Sequence, residues 1–366
     1  MMRRPLLLPL VPLYAAGLAL RELRLEHGWE KVRILWYPVI SVGNLSTGGT
    51  GKTPLMVALV RLLRREGINV DVLSRGYGRK SSQAARVRAD GSAEEFGDEP
   101  LLIARKTGVP VWVAPERYEA GKLADEHFIQ GGGEMSGDPV PLVHLLDDGF
   151  QHRQLFRDID VLLVNSEDMQ DSLLPAGNLR EPLSAFRRAN VLAIPADDKQ
   201  AEQYLTDLLA ADGDSGEHGW IGPVWRLRRR MEVPEIDGPV AAFCGIARPK
   251  QFFDGLEAHG LHLVSRRVFA DHHRYSKKDI ETLLGSARKA GAKSFITTEK
   301  DHVRMGDLAN RLGADLPLRT ADLTIEFDDE LSVVAWLKMR LAKTHMAQAH
   351  RKTVENHQPS RLGRPL

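Results

Sequence analysis

A glycine-rich loop between a strand pattern and a helix pattern is the feature that most constrains how this chain folds. Residues 39–55 read VISVGNLSTGGTGKTPL, where a β-branched run leads into the loop and Lys52-Thr53 close it as a helical pattern begins. Glycines in such a loop let backbone N–H groups approach phosphate, while the lysine reaches the β- and γ-phosphates and the threonine hydroxyl reaches Mg²⁺. This context predicts a phosphate-binding loop for a nucleoside triphosphate rather than a glycine turn with an incidental Gly-Lys-Thr, although Ser46 stands where the usual pattern has its first glycine. The residues expected to contact the nucleotide are Ser46, Thr47, Gly48, Gly49, Thr50, Gly51, Lys52 and Thr53.

Length and composition limit the remaining possibilities. A chain of 366 residues, of which 43% are hydrophobic, predicts two domains with sizeable cores. The formal net charge of +1 gives no general case for a nucleic acid partner. The single cysteine, Cys244, cannot form a disulfide within the chain and fits a reducing cytoplasm. It is best interpreted as a small buried hydrophobe at the end of a strand.

The N-terminal segment is apolar, and a basic, aromatic stretch follows it. Residues 5–20 carry no charge, but these sixteen residues are fewer than a spanning helix needs, and three prolines interrupt the first half. Residues 1–35 contain six Arg or Lys against three Glu, a net charge of +3 that suits an anionic bilayer surface. We therefore expect residues 1–36 to lie in the membrane interface. The alternatives are a cleaved signal peptide and a helix packed on the protein's own core.

A pair of aspartates follows a buried strand downstream of the loop. Residues 142–146, apolar apart from His144, run into Asp147-Asp148. In proteins with a phosphate-binding loop, an aspartate at this place organises Mg²⁺. Asp147 is the main candidate for contact with Mg²⁺ or its water, whereas Asp148 either shares that role or caps the turn.

Two further polar sites follow predicted strands or open predicted helices. A flexible cationic loop with Arg75 and Arg79 follows the strand 68–73, at the sheet edge where open α/β proteins bind ligands. Asp98 stands just before the helical pattern of residues 101–106. Such a carboxylate can cap the helix, or it can take a proton from a substrate hydroxyl near bound phosphate.

The second half of the chain begins after an extended basic stretch. Residues 224–233 contain four arginines and are interpreted as a linker, and a new series of strand and helix patterns starts at residue 240. The Asp271-His272-His273 cluster in this half has no third ligand at a typical zinc spacing. We expect a histidine here to handle or orient a proton at the cleft between two domains.

Eight motifs taken together resemble those of one enzyme family. In chain order they are SVGNLSTGGTGKTP, SRGYGR, GDEP, DDGFQHR, LLPAGNLREP, GIARPKQFF, ADHH and TTEKD. Over most of its length the sequence resembles the tetraacyldisaccharide 4′-kinases of lipid A biosynthesis. The resemblance implies transfer of the γ-phosphoryl group of ATP, with Mg²⁺, to the 4′-hydroxyl of a tetraacylated glucosamine disaccharide 1-phosphate. It also implies a location on the cytoplasmic face of the bacterial inner membrane, as a peripheral or monotopic protein.

The same resemblance assigns roles to individual residues. It implies that Lys52 and Thr53 bind phosphate and Mg²⁺, with Lys52 also catalytic, and that both aspartates of the Asp147-Asp148 pair serve the metal. Asp98 is implied as the catalytic base, with His272 assisting it. The residues implied to line the substrate site are Arg75, Gln151, His152, Arg180 and Glu181.

The expected fold class is α/β: a P-loop NTPase-type sheet domain, a second and smaller α/β domain, and an N-terminal membrane-interface helix. The tail from Lys343 onward is polar and has no aromatic residue, so we expect it to be disordered. The expected partners are the lipid substrate and the membrane surface, with no nucleic acid and no protein partner evident. The division of the chain is 1–36 interface helix, 37–222 kinase domain, 223–236 basic linker, 237–342 second α/β domain and 343–366 tail.

Two functions of other classes share some of these features. A membrane-associated partitioning-type ATPase also has a GGTGKT loop, but that class carries an extra lysine early in the loop, where this chain has Ser46-Thr47. A phosphate-loop kinase of a soluble metabolite gives no role to the apolar N-terminus.

Overall fold

The structure, a computed structural model, describes residues 4–49, 51–131, 142–213, 220 and 222–356, with the backbone alone for 209–213 and 345–356. Thr50 and most of the predicted loop 131–139 lie outside the described residues. The strands are β1 (Val39–Asn44), β2 (Asn69–Ser74), β3 (Ala85–Arg86), β4 (Val111–Val113), β5 (Leu142–Asp147), β6 (Ile159–Leu163), β7 (Val191–Pro195), β8 (Val224–Glu232), β9 (Val240–Cys244), β10 (Leu263–Val268), β11 (Ser294–Thr298) and β12 (Leu318–Phe327).

Helices alternate with these strands along most of the chain, and two short 3₁₀ helices span Pro5–Leu10 and Leu183–Arg188. The α-helices are α1 (Val11–Glu26), α2 (Lys52–Arg65), α3 (Ala93–Phe96), α4 (Asp98–Thr107), α5 (Arg117–Gln130), α6 (Ser166–Met169), α7 (Lys199–Gly213), α8 (Pro249–Ala258), α9 (Lys277–Lys289), α10 (Glu299–Met305), α11 (Asp307–Asp315) and α12 (Glu330–Asn356).

Within the described residues the strands form one sheet, in the order β10-β9-β11-β12-β8-β7-β6-β1-β5-β2-β4-β3. β1 lies between β5 and β6, is parallel to both, and has all six residues buried. A continuous apolar run is typical of a central strand in a parallel sheet, because helices cover both faces of such a sheet and bury every side chain of the strand. α2 packs an inner row that includes Leu55, Leu59 and Leu62 against this core, which places the helix start and its preceding loop at the carboxyl end of β1.

β8 joins the two halves of the sheet and reverses its direction. Residues 224–227 of β8 pair parallel with β7, whereas residues 227–232 pair antiparallel with β12. The strands β11, β9 and β10 run parallel to β12, so they point back toward the carboxyl ends of the first-half strands. Open α/β sheets bind ligands outside the carboxyl ends of their strands. Here two such edges face each other across one cleft.

Three segments differ from the sequence-based expectations. The stretch 224–232, interpreted as a linker, is extended but forms a strand inside the sheet, with Trp225 and Leu227 buried between exposed arginines. The N-terminal helix ends at Glu26, and residues 27–36, which we expected to belong to it, are not helical. α12 continues past Lys343, where we expected a disordered tail, because the residues up to 356 are mostly strong helix formers. The division into two domains stays a prediction.

Candidate active site

The phosphate-binding loop leads from β1 into α2. Gly51, the residue before α2, has φ 96°, a left-handed conformation in which a side chain is strained. The Lys52 ammonium donates to Asn44 Oδ1 at 2.8 Å and lies 3.5 Å from Asp148 Oδ1. The Thr53 side chain is buried at the first turn of the helix. The loop therefore presents glycine backbone, one ammonium and one hydroxyl to the cleft.

Asp147 and Asp148 follow one another but sit in opposite electrostatic surroundings. Asp147 is 3% exposed, and its Oδ2 accepts a hydrogen bond from Ser74 at 3.1 Å. Burial, with the negative charges of Glu99 and Asp148, raises the pKa of Asp147 to about 7. Burial also acts on Asp148, but hydrogen bonds and charge from Arg180, together with Lys52, outweigh it and hold the pKa of Asp148 well below its usual value. Arg180 binds both Asp148 oxygens at 2.8 Å.

Asp98 stands at the start of α4 and meets side chains from the second half of the chain. Arg304 Nε donates to its Oδ2 at 2.6 Å, and His272 Nδ1 lies 3.3 Å from the same oxygen. Its other oxygen accepts from the Glu99 backbone N–H at 3.0 Å. Gly97, not Asp98, is the N-cap of α4, so the capping alternative for Asp98 is not what the structure shows. Burial would raise the pKa of Asp98, but hydrogen bonds and charge from His272 and Arg304 outweigh it and hold that pKa well below its usual range.

The backbone at two of these residues is unusual. Asp148 and His272, with φ of 49° and 58°, are the two residues other than glycine for which positive φ is found in the described part of the chain. Such conformations cost of order 1–3 kcal/mol and persist only where the surroundings impose them. Arg180 binds the Asp148 side chain, and Asp98 and Arg304 contact the His272 side chain.

Further ion pairs join α4 to the second half beside Asp98. Glu99 pairs with Lys300 of α10, and Lys106 pairs with Glu299 and with Asp322 of β12. These contacts border a cleft of about 530 Å³, the active-site cleft. A larger groove of about 900 Å³ runs along the outer side of α2, but none of the predicted site residues lines it. Its size does not make it a site, because the polar side chains converge on the smaller cleft.

The structure brings most of the predicted site residues together. Those that line the active-site cleft are Ser46, Thr47, Gly48, Gly49, Gly51, Lys52, Thr53, Arg75, Asp98, Asp147, Asp148, Arg180 and His272.

Gln151, His152 and Glu181, all described, do not line the cleft. Gln151 donates to the Asn44 carbonyl at 2.9 Å, and Glu181 pairs with Arg188. Burial and then the charge of Arg117 lower the pKa of His152 to about 4, so its ring is neutral at pH 7.

Two residues that contact the predicted site residues escaped the sequence analysis. Arg304 is 6% exposed at its side chain and binds Asp98, Asp301 and the Gly245 carbonyl, yet in sequence it is one arginine of a charged helix. Asn44 is fully buried at the end of β1. The sequence signal for Asn44 was its position between an apolar strand and the glycine loop. A buried amide at such a position must be hydrogen-bonded, which points to nearby polar partners.

The residues present fit a bound Mg²⁺ ion. Asp147 Oδ1 is buried and has no hydrogen-bond partner among the described residues. An ion would give this oxygen a partner and would lower the pKa of the carboxyl group. Within the described chain no group of three His, Cys, Asp or Glu side chains forms a metal cage. This agrees with the way Mg²⁺ is held in kinases, by one or two carboxylates, a hydroxyl, substrate phosphate and water.

Comparison with known proteins identifies the family. Residues 3–342 match the sequence pattern of the tetraacyldisaccharide-1-P 4′-kinases. This chain belongs to the tetraacyldisaccharide-1-P 4′-kinase family. A tetraacyldisaccharide 4′-kinase of Koribacter versatilis is 41% identical over 335 residues, which are 87% of this chain and 96% of the relative. One of Geobacter metallireducens is 37% identical over 316 residues, covering 82% and 88% of the two chains.

A solved structure supports the same assignment. The crystal structure of LpxK from Aquifex aeolicus in complex with ATP has 30% sequence identity and a TM-score of 0.68, covering 92% of this chain and 99% of that one. Membership of the 4′-kinase family confirms the expected fold class, the ATP-dependent kinase activity in lipid A biosynthesis, and ATP with Mg²⁺ as cofactors. It decides against a partitioning ATPase and against a kinase of a soluble metabolite.

Proposed function

We propose that the active-site cleft performs 4′-phosphorylation with ATP held by the first half of the chain and a proton acceptor completed by the second half. The observation that carries this proposal is the 3.3 Å contact between Asp98 and His272, made across the cleft that the phosphate-binding loop also lines. In this assignment Lys52 and the loop amides bind phosphate. Thr53 and Asp147 hold Mg²⁺, with Asp148 fixing the cations Lys52 and Arg180 beside them.

Charge stabilisation is the main task of a kinase site, because the transferred phosphoryl group passes through a loose transition state with little covalent help from the protein. Mg²⁺ held by Thr53 and Asp147 would supply positive charge to neutralise the charge that develops on the phosphate oxygens. Lys52 and Arg180 add two fixed cations on the first-half side of the cleft. Because these groups are held before reaction, little reorganisation is needed when charge moves.

Asp98 takes the remaining role, which is to orient the acceptor hydroxyl and receive its proton. Its low pKa keeps the carboxylate ionised at neutral pH, so it is always ready to accept a hydrogen bond. In a loose transition state the hydroxyl becomes strongly acidic only as its oxygen bonds to phosphorus, and a weak base suffices at that point. His272, whose pKa is raised mainly by its hydrogen bond to Asp98, holds the carboxylate in place.

Replacement of the loop lysine tests the assignment of the nucleotide site. We expect Lys52→Ala to lose nearly all transfer to an acylated disaccharide 1-phosphate in detergent, because the phosphate charge loses its nearest ammonium. Its melting temperature should stay close to that of the unaltered protein. Lys289→Ala, at an exposed position of α9, is the matched control. Near-normal turnover of Lys52→Ala contradicts the assignment.

We also propose that the N-terminal element places the cleft at a membrane surface. The helical stretch Pro5–Glu26 is long and apolar enough to cross a membrane, and none of it is buried in the protein. Leu6, Leu13 and Leu20 are 93%, 73% and 56% exposed. Large exposed apolar patches of this kind mark interaction sites. We place the protein on the cytoplasmic face of the inner membrane, lying in the interface.

The segment after α1 supports this orientation. Val32, Ile34 and Trp36 point outward and are about half exposed, whereas Leu35 between them is buried against Gly121 of α5. A Cβ at Gly121 would lie 2.2 Å from Leu35, so the glycine leaves room for that leucine. This alternation turns an apolar row to the outside.

Polar contacts tie α1 to the loops behind the active site. Tyr14 donates to the Arg180 carbonyl at 2.9 Å, and Arg21 donates to the Gln151 carbonyl at 2.5 Å.

We propose that Arg75 and Arg180 meet the lipid substrate or its phosphates from within the cleft. Gln151, His152 and Glu181 support the loops under α1 on the side from which the lipid enters.

Polar replacement of exposed leucines tests the membrane proposal without deleting the contacts of α1. We expect Leu13→Gln with Leu20→Gln to reduce binding to vesicles of phosphatidylethanolamine and phosphatidylglycerol, and to raise KM for the lipid more than KM for ATP. Leu331→Gln, at an 83% exposed leucine of α12, is the matched control. Unchanged vesicle binding by the double variant contradicts the proposal.

A further inference from the structure

Asn44 is the meeting point of the two cations on the first-half side of the cleft. Its Oδ1 accepts hydrogen bonds from Lys52 Nζ at 2.8 Å and from Arg180 Nη2 at 2.7 Å. Its backbone carbonyl accepts from Gln151 Nε2 at 2.9 Å and from Arg180 Nη2 at 3.1 Å. Its side chain is fully buried. Lys52 and Arg180 are far apart in the sequence, so this one residue joins two separate segments of the site.

The orientation of the amide follows from its neighbours. Lysine and arginine can only donate hydrogen bonds, so the oxygen of the amide must face them. The nitrogen then faces Ser46, where it donates to the carbonyl at 2.8 Å and to the hydroxyl at 3.1 Å. Every donor and acceptor of the Asn44 side chain is therefore used, and its orientation is fixed.

Asn44 differs from Asp148, which contacts the same two cations. Asp148 carries a negative charge and offsets one of the two positive charges. Asn44 fixes the cations through a neutral oxygen, so the remaining positive charge stays available to phosphate. A carboxylate at position 44 would add a second negative charge and would turn an oxygen toward the Ser46 carbonyl. The amide satisfies both neighbours, because its oxygen accepts from the two cations and its nitrogen donates to Ser46.

We propose that Asn44 is a positioning residue that holds the Lys52 and Arg180 head groups side by side for the triphosphate without neutralising their charge. The proposal rests on the proposed function, in which both cations act on phosphate. Asn44 acts through these two side chains and not by touching the reacting atoms. Ser46, at the place of the usual first loop glycine, completes the arrangement because its carbonyl and hydroxyl receive the amide N–H groups.

The test compares two variants of Asn44 with a buried asparagine elsewhere. We expect Asn44→Ala to lower kcat by about 10- to 100-fold, as expected for loss of a hydrogen bond to charged groups, with a smaller rise in KM for ATP. Asn44→Asp keeps the acceptor but adds charge, so we expect it to weaken binding of inorganic tripolyphosphate by about tenfold. The matched control is Asn165→Ala, which removes a 6% exposed amide that caps α6. It should lower the melting temperature without changing kcat or KM.

A double-variant cycle separates positioning from general support of the fold. If Asn44 acts through Arg180 as well as Lys52, the combined effect of Asn44→Ala and Arg180→Ala on kcat should be clearly less than the sum of the two single effects, because the Arg180 part of the positioning is lost only once. Full additivity, or kcat of Asn44→Ala within twofold of the unaltered enzyme, overturns the proposal. Tighter or equal binding of tripolyphosphate by Asn44→Asp also overturns it. Failure of the proposed function is a different result, since Lys52→Ala and Arg180→Ala would then both keep near-normal turnover.

Discussion

Asp98 and Asp147 are both buried carboxylates on the same cleft, but the protein surrounds them in opposite ways. Asp98 contacts Arg304 and His272, so its pKa is held well below the usual range. Asp147 has Ser74 on one oxygen and no hydrogen-bond partner on the other within the described chain, so burial raises its pKa to about 7. The protein's own cations compensate the charge of Asp98, whereas Asp147 keeps one oxygen without a hydrogen-bond partner among the described residues.

This difference supports the different roles that we propose for the two carboxylates. A buried carboxylate with protein cations on it is a poor metal ligand, because its charge is already balanced. A buried carboxylate with a free oxygen gains most from an ion of charge +2. We therefore assign the acceptor hydroxyl to Asp98 and Mg²⁺ to Asp147.

Among the variants that test the comparison of the buried carboxylates, the largest effect on turnover is expected from Asp98→Asn. Loss of a general base typically lowers the rate by about 10²–10⁴, so kcat should fall by that order while KM for ATP stays nearly constant. Asparagine keeps a side-chain oxygen at this position, so the contact to the Glu99 backbone N–H is retained. An unchanged kcat in a folded variant would remove Asp98 from the mechanism.

Arg304→Gln tests whether the protein cations set the state of Asp98. Without the guanidinium the pKa of Asp98 should rise, so the acidic limb of the kcat profile should move to higher pH. At neutral pH we expect kcat to fall by about tenfold, the lower end of what a hydrogen bond to a charged group contributes. A pH profile identical to that of the unaltered enzyme would show that Arg304 does not act on this carboxylate.

His272→Ala should have a smaller effect, because the histidine orients a carboxylate that Arg304 also holds. We expect kcat to fall by less than about tenfold, and the double variant with Asp98→Asn to be no slower than Asp98→Asn alone. Steady-state kinetics of the three variants measure this directly. An additive double variant would mean that His272 acts on substrate independently of Asp98.

The smallest effect on turnover is expected from a change at His144, which lies between two further buried carboxylates. Its Nδ1 is 2.7 Å from Asp71 Oδ1, and its Nε2 is 2.9 Å from Asp125 Oδ1. Burial would lower the pKa of His144, but the two aspartates outweigh it and raise that pKa to about 10. His144→Leu leaves both carboxylates without their cation, which typically costs about 3–5 kcal/mol of stability. We expect kcat within twofold, measured below the melting temperature.

The pH dependence of that stability has a definite sign. The folded pKa of His144 lies above its ordinary value of 6.5, so its contribution is complete below about pH 6.5 and is lost as pH rises toward 10. Urea unfolding of the unaltered protein and of His144→Leu should therefore differ most near the acidic end of this range. A gap that grows with pH would contradict the charged state of His144.

Local patterns in the sequence predicted the loop, the strand before it and the aspartates at the end of β5, because each depends on a few neighbouring residues. They also offered Asp98 and a histidine of the 271–273 cluster as candidates, and the resemblance to the 4′-kinases implied that Asp98 is the base and His272 its helper. Neither source supplied Arg304, since its contact with Asp98 requires α10 to pack against α4. That packing follows from the reversal between β8 and β12, which is a pairing of distant strands. A pattern of arginines and apolar residues indicates that 224–232 is extended, but not which strands it joins.

The assignment of Mg²⁺ to Asp147 and of the acceptor hydroxyl to Asp98 is tested most directly by one titration. The affinity for Mg²⁺ is measured calorimetrically in the presence of a non-hydrolysable ATP analogue, for the unaltered protein, Asp147→Asn and Asp98→Asn. Loss of even an outer-shell partner of a metal costs about 10–100-fold in affinity, so Asp147→Asn should weaken Mg²⁺ binding by at least that factor. Asp98→Asn should bind Mg²⁺ like the unaltered protein. Equal weakening in both variants, or weakening in Asp98→Asn alone, would contradict the division of roles between the two carboxylates.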